Sequence, residues 1–295
     1  MVLLKEYRVP LPCTLEEFRL ANRYCTMKRS EEETQGDAGV EVLKDEPFQN
    51  EELGSGRYTE KIIHLGHHVP SWARRIIPSK AQMLVEKSWN SFPRCKTIYS
   101  CPFFEKFSMT VISNHTEDNG SQDNSLELDA STLKKRDVQA IDVAFTPLDK
   151  KYYKKEEDPT LWQSKKKGRG PLQNKWQESQ PIMCCYKFVS VEFRYTGFQK
   201  RIEKYMQQMM FDLVFTYCRQ LVCLMDEWAE LSEEDIEAYE REVAERLNKK
   251  CAGLVSKAPV GPVEAMDVPE CPSPAPEHQD ANGNSKGKEK EEQEE

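Results

Sequence analysis

Nucleophilic and metal chemistry rest mostly on histidine and cysteine, and the spacing of both types here supplies neither. The five histidines are His64, His67, His68, His115 and His278. His67-His68 falls in an expected turn, with no companion at the spacing of a metal site or a catalytic triad. The ten cysteines are scattered; Cys184-Cys185 is the one adjacent pair and no CxxC occurs. Free thiols in a reducing compartment are the expectation. Cys95 is a conceivable nucleophile, but no GxSxG, HExxH, P-loop or GxGxxG accompanies it. Neither a catalytic residue nor a metal ligand is expected.

Polar binding chemistry remains. Thr59 and Lys61 lie two residues apart in a β-rich run, so on a strand they share one face. On residue types alone such a pair reads as solvated surface. Ser164 stands before Lys165-Lys166-Lys167-Gly168-Arg169. That basic run reads first as a solvated loop, although near a membrane it would attract anionic lipid at about 1 kcal/mol per charge.

The elements that must carry these residues follow from periodicity. The chain has 295 residues, 38% hydrophobic and 31% charged, enough for one sizeable domain plus a tail or for two small domains. Residues 1–12 alternate as a strand. Thr14-Leu15-Glu16-Glu17 is a capping box opening a helix over about 14–28, followed by a polar loop at 29–39. Short strands are expected at 40–43, 57–65, 83–89, 96–100 and 107–112. Residues 114–137 read as a long polar connection, 138–144 as an apolar run, and 183–195 as the longest strand. The stretch 150–180 is too long for a turn and is expected to be functional or mobile.

Helix dominates the last third. Phe198, Ile202, Tyr205, Met209, Leu213, Tyr217, Leu221, Leu224 and Trp228 recur in steps of three and four with no Gly or Pro between Phe198 and Leu231. One helix of about 33 residues, roughly 50 Å long, is expected, its stripe either packing on the sheet or lining a cavity. A second helix starts at Ser232-Glu233-Glu234-Asp235, carries Ile236, Tyr239, Val243 and Leu247, and ends at Lys249-Lys250. The organisation is therefore a domain over 1–250 and a disordered, acidic, Pro-rich tail over 251–295. The fold class is α+β, a concave, mostly antiparallel sheet wrapped against long helices. The formal net charge of −8 argues against nucleic acid as a partner. No run of 18 apolar residues spans a bilayer, and no signal peptide or lipidation pattern is read, so a cytoplasmic protein with peripheral membrane contact is expected.

Several segments together resemble a known family, the phosphatidylinositol transfer proteins. They are Leu3-Leu4-Lys5-Glu6-Tyr7-Arg8-Val9, Gly39-Val40-Glu41-Val42, Tyr58-Thr59-Glu60-Lys61, Glu86-Lys87-Ser88-Trp89-Asn90, Tyr153-Lys154-Lys155-Glu156-Glu157-Asp158-Pro159, Gly168-Arg169-Gly170 and Tyr186-Lys187. They occur in order and at family spacing over about residues 1–250. Ser71-Trp72-Ala73-Arg74 and Gln180-Pro181-Ile182-Met183-Cys184 look closest to the soluble retinal-degeneration-B-beta type.

The resemblance implies a START-like sheet enclosing one phospholipid as cargo, with no cofactor. It implies that Thr59, Lys61, Asn90 and Glu240 hold the inositol ring, whose hydroxyls both donate and accept. Cys95, Thr97 and Lys187 match the phosphate region, and Ser164 a regulatory serine. Tyr195-Thr196 stand where the alpha and beta types dock on membranes with a Trp-Trp pair, which implies weaker docking here. Asn22 and Tyr217 replace a Gln and a Phe near the choline end. Phosphatidylinositol is thus the implied ligand, with phosphatidic acid favoured over phosphatidylcholine as the second lipid. A lipid sensor that presents phosphatidylinositol to kinases, and a scaffold, are the alternatives. A monomer is expected.

Overall fold

The computed structural model describes residues 3–74, 77–78, 82–195 and 197–255. Strand β1 (Leu3–Leu11) leads into α1 (Leu15–Glu33), which Thr14 and Glu17 cap reciprocally. The helix runs past the expected end at 28. Its last turns gain the Arg29–Glu33 pair at 2.8 Å and a bond from Ser30 Oγ to Thr26 O at 2.8 Å. These polar residues add no apolar stripe and so read as a loop, but they are compatible with helix and gain partners in it.

Strands β2 (Gly39–Asn50) and β3 (Gly54–His64) form a long hairpin. The expected short strand at 40–43 extends through a bulge between Val42 and Lys44. Pro47 is tolerated because β2 is an edge strand. A short 3₁₀ turn and α2 (Ser71–Arg74) precede β4 (Met83–Ser91), β5 (Arg94–Cys101) and β6 (Phe104–Thr116), joined by tight turns. Helix α3 (Ala130–Lys135), capped by Asp129, breaks the long polar connection. β7 (Asp137–Ala140) then pairs parallel to β1, and β8 (Met183–Phe193) antiparallel to it. β6, with 13 residues, exceeds β8, with 11, so the apolar content that marked 183–195 measured burial rather than length. The sheet order is β2-β3-β4-β5-β6-β8-β1-β7.

The helix expected over 198–231 is broken. α4 (Gln199–Cys223) has 25 residues, about 37 Å, and α5 (Met225–Trp228) follows a kink at Leu224. Trp228 Nε1 donates to Leu221 O at 3.0 Å. Asp226 accepts from Ser164 Oγ at 2.5 Å and from the amides of Lys165 and Lys166. Side-chain bonds to a distant loop are invisible to periodicity.

The deep face of α4 lies beside the first part of the expected stripe and rejoins it at Leu221. Met206, Met210, Val214, Cys218 and Leu221 are buried, while Phe198 and Leu213 are about 40% exposed and Ile202, Tyr205 and Met209 half-buried. Polar Gln207 sits inside this face because its amide donates to Leu3 O and Val189 O, which sews α4 to β1 and β8.

Helix α6 (Glu233–Val255) extends five residues past the expected domain boundary at 250. Its stripe of Ile236, Val243 and Leu247 is fully buried. Asn248 accepts from Val42 N at 2.9 Å and donates to Val42 O at 3.0 Å, so its amide replaces the missing neighbour of the edge strand at that residue. The rest of the expected tail, 256–295, lies outside the described residues. The main core lies between one sheet face, α1, α4 and the 141–182 segment, whose Trp162, Leu172 and Trp176 are buried in it. That segment is thus packed rather than loose.

Candidate functional site

Strand register assembles the site. Residues directly opposite on neighbouring strands point to the same face. One cross-strand row reads Arg57, Asn90, Cys95, Ser113, Lys187 and Tyr7. The next reads Thr59, Ser88, Thr97, Val111 and Val189, and the third Lys61, Glu86, Tyr99, Met109 and Val191. Tyr7, Met109, Val111, Val189 and Val191 belong to the main core, so all three rows face inward. Within these three rows the inner face is polar on β3, β4 and β5 and apolar on β6 and β8, except where the Ser113–Lys187 corner extends the polar zone; the next inward pair on β3 and β4, Ile63 and Leu84, is apolar. Gly56 permits the close approach of β3 to Asn90, whose carbonyl oxygen would lie 2.1 Å from any Cβ there.

Six of the seven headgroup residues expected from sequence stand on this face: Thr59, Lys61, Asn90, Cys95, Thr97 and Lys187. Lys61 pairs with Glu86 at 3.3 Å, both largely shielded. The Tyr99 hydroxyl also bonds Glu86, and burial raises its pKa well above the usual tyrosine value. Ser88 Oγ lies 2.9 Å from Thr97 Oγ1 and 3.5 Å from Cys95 Sγ, so the partners of this thiol are hydroxyls rather than a base. Lys187 Nζ donates to Ser113 Oγ at 3.2 Å.

The seventh, Glu240, comes from α6. Its oxygens are held by Arg23 Nε at 3.0 Å and Nη2 at 2.6 Å. Arg23 Nη1 also reaches Glu233 at 2.5 Å. Asp45 above all, and Glu240 to a smaller degree, raise the pKa of Arg57, so Glu240 lies near the Arg57 end of β3, although its bonded partner is Arg23.

Sequence reasoning missed Ser88, Ser113, Glu86 and Arg23. For Glu86 and Ser88 the i, i+2 spacing with Asn90 on one strand face is a usable signal. Ser113 needed the register with Cys95. His115 was set aside for want of metal or triad partners. It is 5% exposed, between Phe18 and Phe92, and donates from Nδ1 to Pro93 O at 2.7 Å. Burial, then the nearby Lys187 charge, pushes its pKa down to about 3, so it is neutral.

The remaining candidates fall elsewhere. Asn22 and Tyr217 touch: the Tyr217 hydroxyl donates to Asn22 Oδ1 at 2.9 Å. Its pKa is raised well above the usual value by burial. Tyr195 packs on Phe193 and Phe104, ring centroids 4.8 and 5.4 Å away, rather than standing out from the surface. Thr196 lies outside the described residues. Exposed Phe103 and Phe198 flank this end of the sheet. Ser164 is 1% exposed. Lys166, Lys167 and Arg169 beside it pair with Glu230 or Glu17, so much of the basic run is turned to carboxylates of the same chain.

The apolar end holds a cavity of about 80 Å³ between the sheet, α2 and α4. Leu84, Phe104, Phe107, Ala73, Ile202 and Met209 are among its walls. This is small beside a drug-sized pocket of about 300–1,000 Å³, and it suits the end of a hydrocarbon chain. Among the described residues no group of three or more His, Cys, Asp or Glu could hold a metal ion, and no helix is long and apolar enough to cross a membrane.

Comparison with known proteins gives the same direction. The sequence profile described as "Phosphatidylinositol transfer protein" matches residues 2–245. Phosphatidylinositol transfer protein 1 of Dictyostelium discoideum is 46% identical over 253 residues, covering 84% of this chain and 96% of the relative. Phosphatidylinositol transfer protein 5 of the same organism is 40% identical over 250 residues, covering 84% and 86%. The human membrane-associated phosphatidylinositol transfer protein 2 is 41% identical over 258 residues, covering 85% of this chain but 19% of that longer protein. The chain belongs to the phosphatidylinositol transfer protein family.

Proposed function

We propose that this protein is a carrier that encloses one phosphatidylinositol-type phospholipid and moves it between membranes, without catalysis. One observation carries the reading: along three inward rows a single sheet face changes from hydroxyls, amide and paired charges on β3–β5 to aliphatic side chains on β6 and β8, and the next inward pair on β3 and β4, Ile63 and Leu84, is already apolar. A phospholipid has the same polarity change along its length. Thr59, Lys61, Asn90 and Glu240 would meet the ring hydroxyls. Cys95, Thr97 and Lys187, with Ser113, would meet the phosphate. Glu240 would have to share its carboxylate between the ring and Arg23.

The energetic reason to enclose the lipid is the cost of wet hydrocarbon. At about 0.8 kcal/mol per methylene, two chains with roughly 30 methylenes cost on the order of 25 kcal/mol in water. A cavity lined by Leu, Phe, Ile and Met offsets most of that, and Met209 adapts to chains of varied length.

Phosphatidic acid is the second lipid in this reading. Asn22 and Tyr217 satisfy each other instead of surrounding a quaternary ammonium, and Lys187 suits a compact phosphate. Docking is transient and uses the end that bears Tyr195 and Thr196, and the carrier works as a cytoplasmic monomer. Ser164 serves as a regulatory site only after its loop leaves Asp226. Lipid extracted from the protein purified from cells and identified by mass spectrometry tests the reading. Phosphatidylinositol with phosphatidic acid is the expected pair. Dominant phosphatidylcholine would refute the second ligand, and an empty protein that loads no phospholipid would refute the carrier.

A further inference from the structure

On the outer face of the sheet, away from the headgroup residues, two shielded polar atoms face each other without a bond. His64 closes β3 opposite Gly39, and Glu41 stands opposite Ile62, so alternation puts both side chains on that face as neighbours. His64 Nε2 lies 3.7 Å from Glu41 Oε2, with the side chains 12% and 19% exposed. Neither atom has a hydrogen-bond partner among the described residues. The separation is too long for a hydrogen bond between them. A buried nitrogen and a buried carboxylate oxygen left in this state are costly unless a proton joins them.

The groups packed around the pair do not supply a substitute. Met83, opposite His64 on β4, is apolar. On α6 the Cys251 thiol lies near Glu41; burial first, and then the Glu41 charge, raise its pKa, and Lys250 offsets part of this. His67 faces Asp37 at 3.2 Å and His68 faces Glu33 at 3.3 Å. Arg29 also pairs with Glu33, and Lys154 lies near it. These two histidine pairs are exposed, so water screens them. Imidazole is the side chain that gains charge between about pH 8 and pH 5. A proton on His64 makes an ion pair with Glu41 in a place that water screens little, and draws the two together.

The residues after His64 carry the consequence to the apolar cavity. Leu65, His68, Val69, Pro70, Trp72 and Ala73 form one of its walls. The facing walls are fixed, because Gln207 sews α4 to β1 and β8, and Phe107 pairs with Phe193 in the sheet. Helix α2 has four residues and lies outside the sheet. The Tyr205 hydroxyl on His68 O at 3.1 Å and the Arg201 guanidinium 4.0 Å from the Trp72 ring centre join this wall to α4. A space of about 80 Å³ admits an acyl chain only if a wall gives, and this is the wall with least backbone pairing.

We propose that His64 and Glu41 form a proton-operated latch: protonation of His64 ties the end of β3 to β2, holds the Leu65–Arg74 wall in place and slows lipid exchange as the solution turns acidic. The inference rests on the carrier reading above and adds a regulation to it. His67 and His68 act in the same direction, with less effect because they are exposed.

The test measures transfer of labelled phosphatidylinositol between phosphatidylcholine vesicles by the full-length protein at pH 7.5 and pH 6.0. The native chain is expected to slow about fivefold at the lower pH, the size of one charge-assisted bond gained in the closed form. His64→Gln and Glu41→Gln should each abolish the drop, while His67→Gln should keep most of it. Amide hydrogen exchange over residues 65–74, corrected for its intrinsic pH dependence, should slow at pH 6.0 in the native chain and not in the two latch variants. A drop of the same size in a folded His64→Gln would overturn the proposal, and so would native amides that exchange alike at both pH values. Glu41→Gln makes the same comparison if His64→Gln fails to fold. A native chain that moves no phospholipid at either pH overturns the carrier reading instead, and the amide exchange still decides the latch.

Discussion

The inner face has two ends made by one sheet and one alternation of side chains, yet they treat polarity in opposite ways. On β3, β4 and β5 each of the three rows named above carries a hydroxyl, an amide or a charge, and Ser88 with Thr97 and Lys61 with Glu86 bond across the strands. On β6 and β8 two of the three rows become Met109, Val111, Val189 and Val191, which bond nothing and exclude water. The difference lies in which residues the register aligns, not in backbone geometry. A small set of inward positions therefore decides where a headgroup and where a hydrocarbon chain would lie.

The sharpest way to break that contrast is at Thr59. A Thr59→Glu variant puts a carboxylate beside Glu86 and Asp45, where like charges are already close. Phosphatidylinositol transfer between vesicles is expected to fall about 100-fold, equal to about 2.7 kcal/mol. The fold should hold, with a melting temperature within about 5 °C, because Thr59 is only half-buried. Transfer left intact in a folded variant would remove Thr59 from the headgroup site.

His115 stands between the two ends, and its neutrality is measurable. Its folded pKa of about 3 lies below the unfolded value of 6.5. Between these values the unfolded chain binds the extra proton, so stability is complete above pH 6.5 and is lost as pH falls toward 3. Urea titrations should show about 1 kcal/mol lost per pH unit from this residue, near the ideal 1.4. His115→Gln should flatten the slope by that amount, beyond what Glu17 and Glu33, also held low, still contribute. An identical slope in the variant would mean that His115 is not held neutral.

The apolar end should respond more gently. Ala73 is 4% exposed and lines the cavity, so Ala73→Phe fills it. Transfer of long-chain lipid is expected to fall about fivefold, roughly 1 kcal/mol, while short-chain lipid is spared. Equal loss for both lengths would mean that the cavity takes no chain end.

Much of this was legible beforehand. Strand alternation placed Thr59 with Lys61, the capping box fixed where α1 begins, and Ile236, Val243 and Leu247 marked the buried side of α6. What escaped depended on partners far along the chain. The break at Leu224 goes with Asp226 holding the Ser164 hydroxyl and the amides of Lys165 and Lys166, and with the Trp228 indole on Leu221 O. Ser88 looks like an ordinary strand serine until register sets it against Thr97. Arg23 looks like helix surface until α6 brings Glu233 and Glu240 to it. Apolar periodicity reports what is buried, while polar contacts between distant elements leave no period to read.

The Asn248 amide on Val42 has a consequence for solubility. An open strand margin invites a second chain to extend the sheet, and this side chain occupies one such opening. While α6 keeps its place, that residue of the margin stays occupied, so the same helix that carries Glu240 also lowers the tendency of the sheet to recruit another chain.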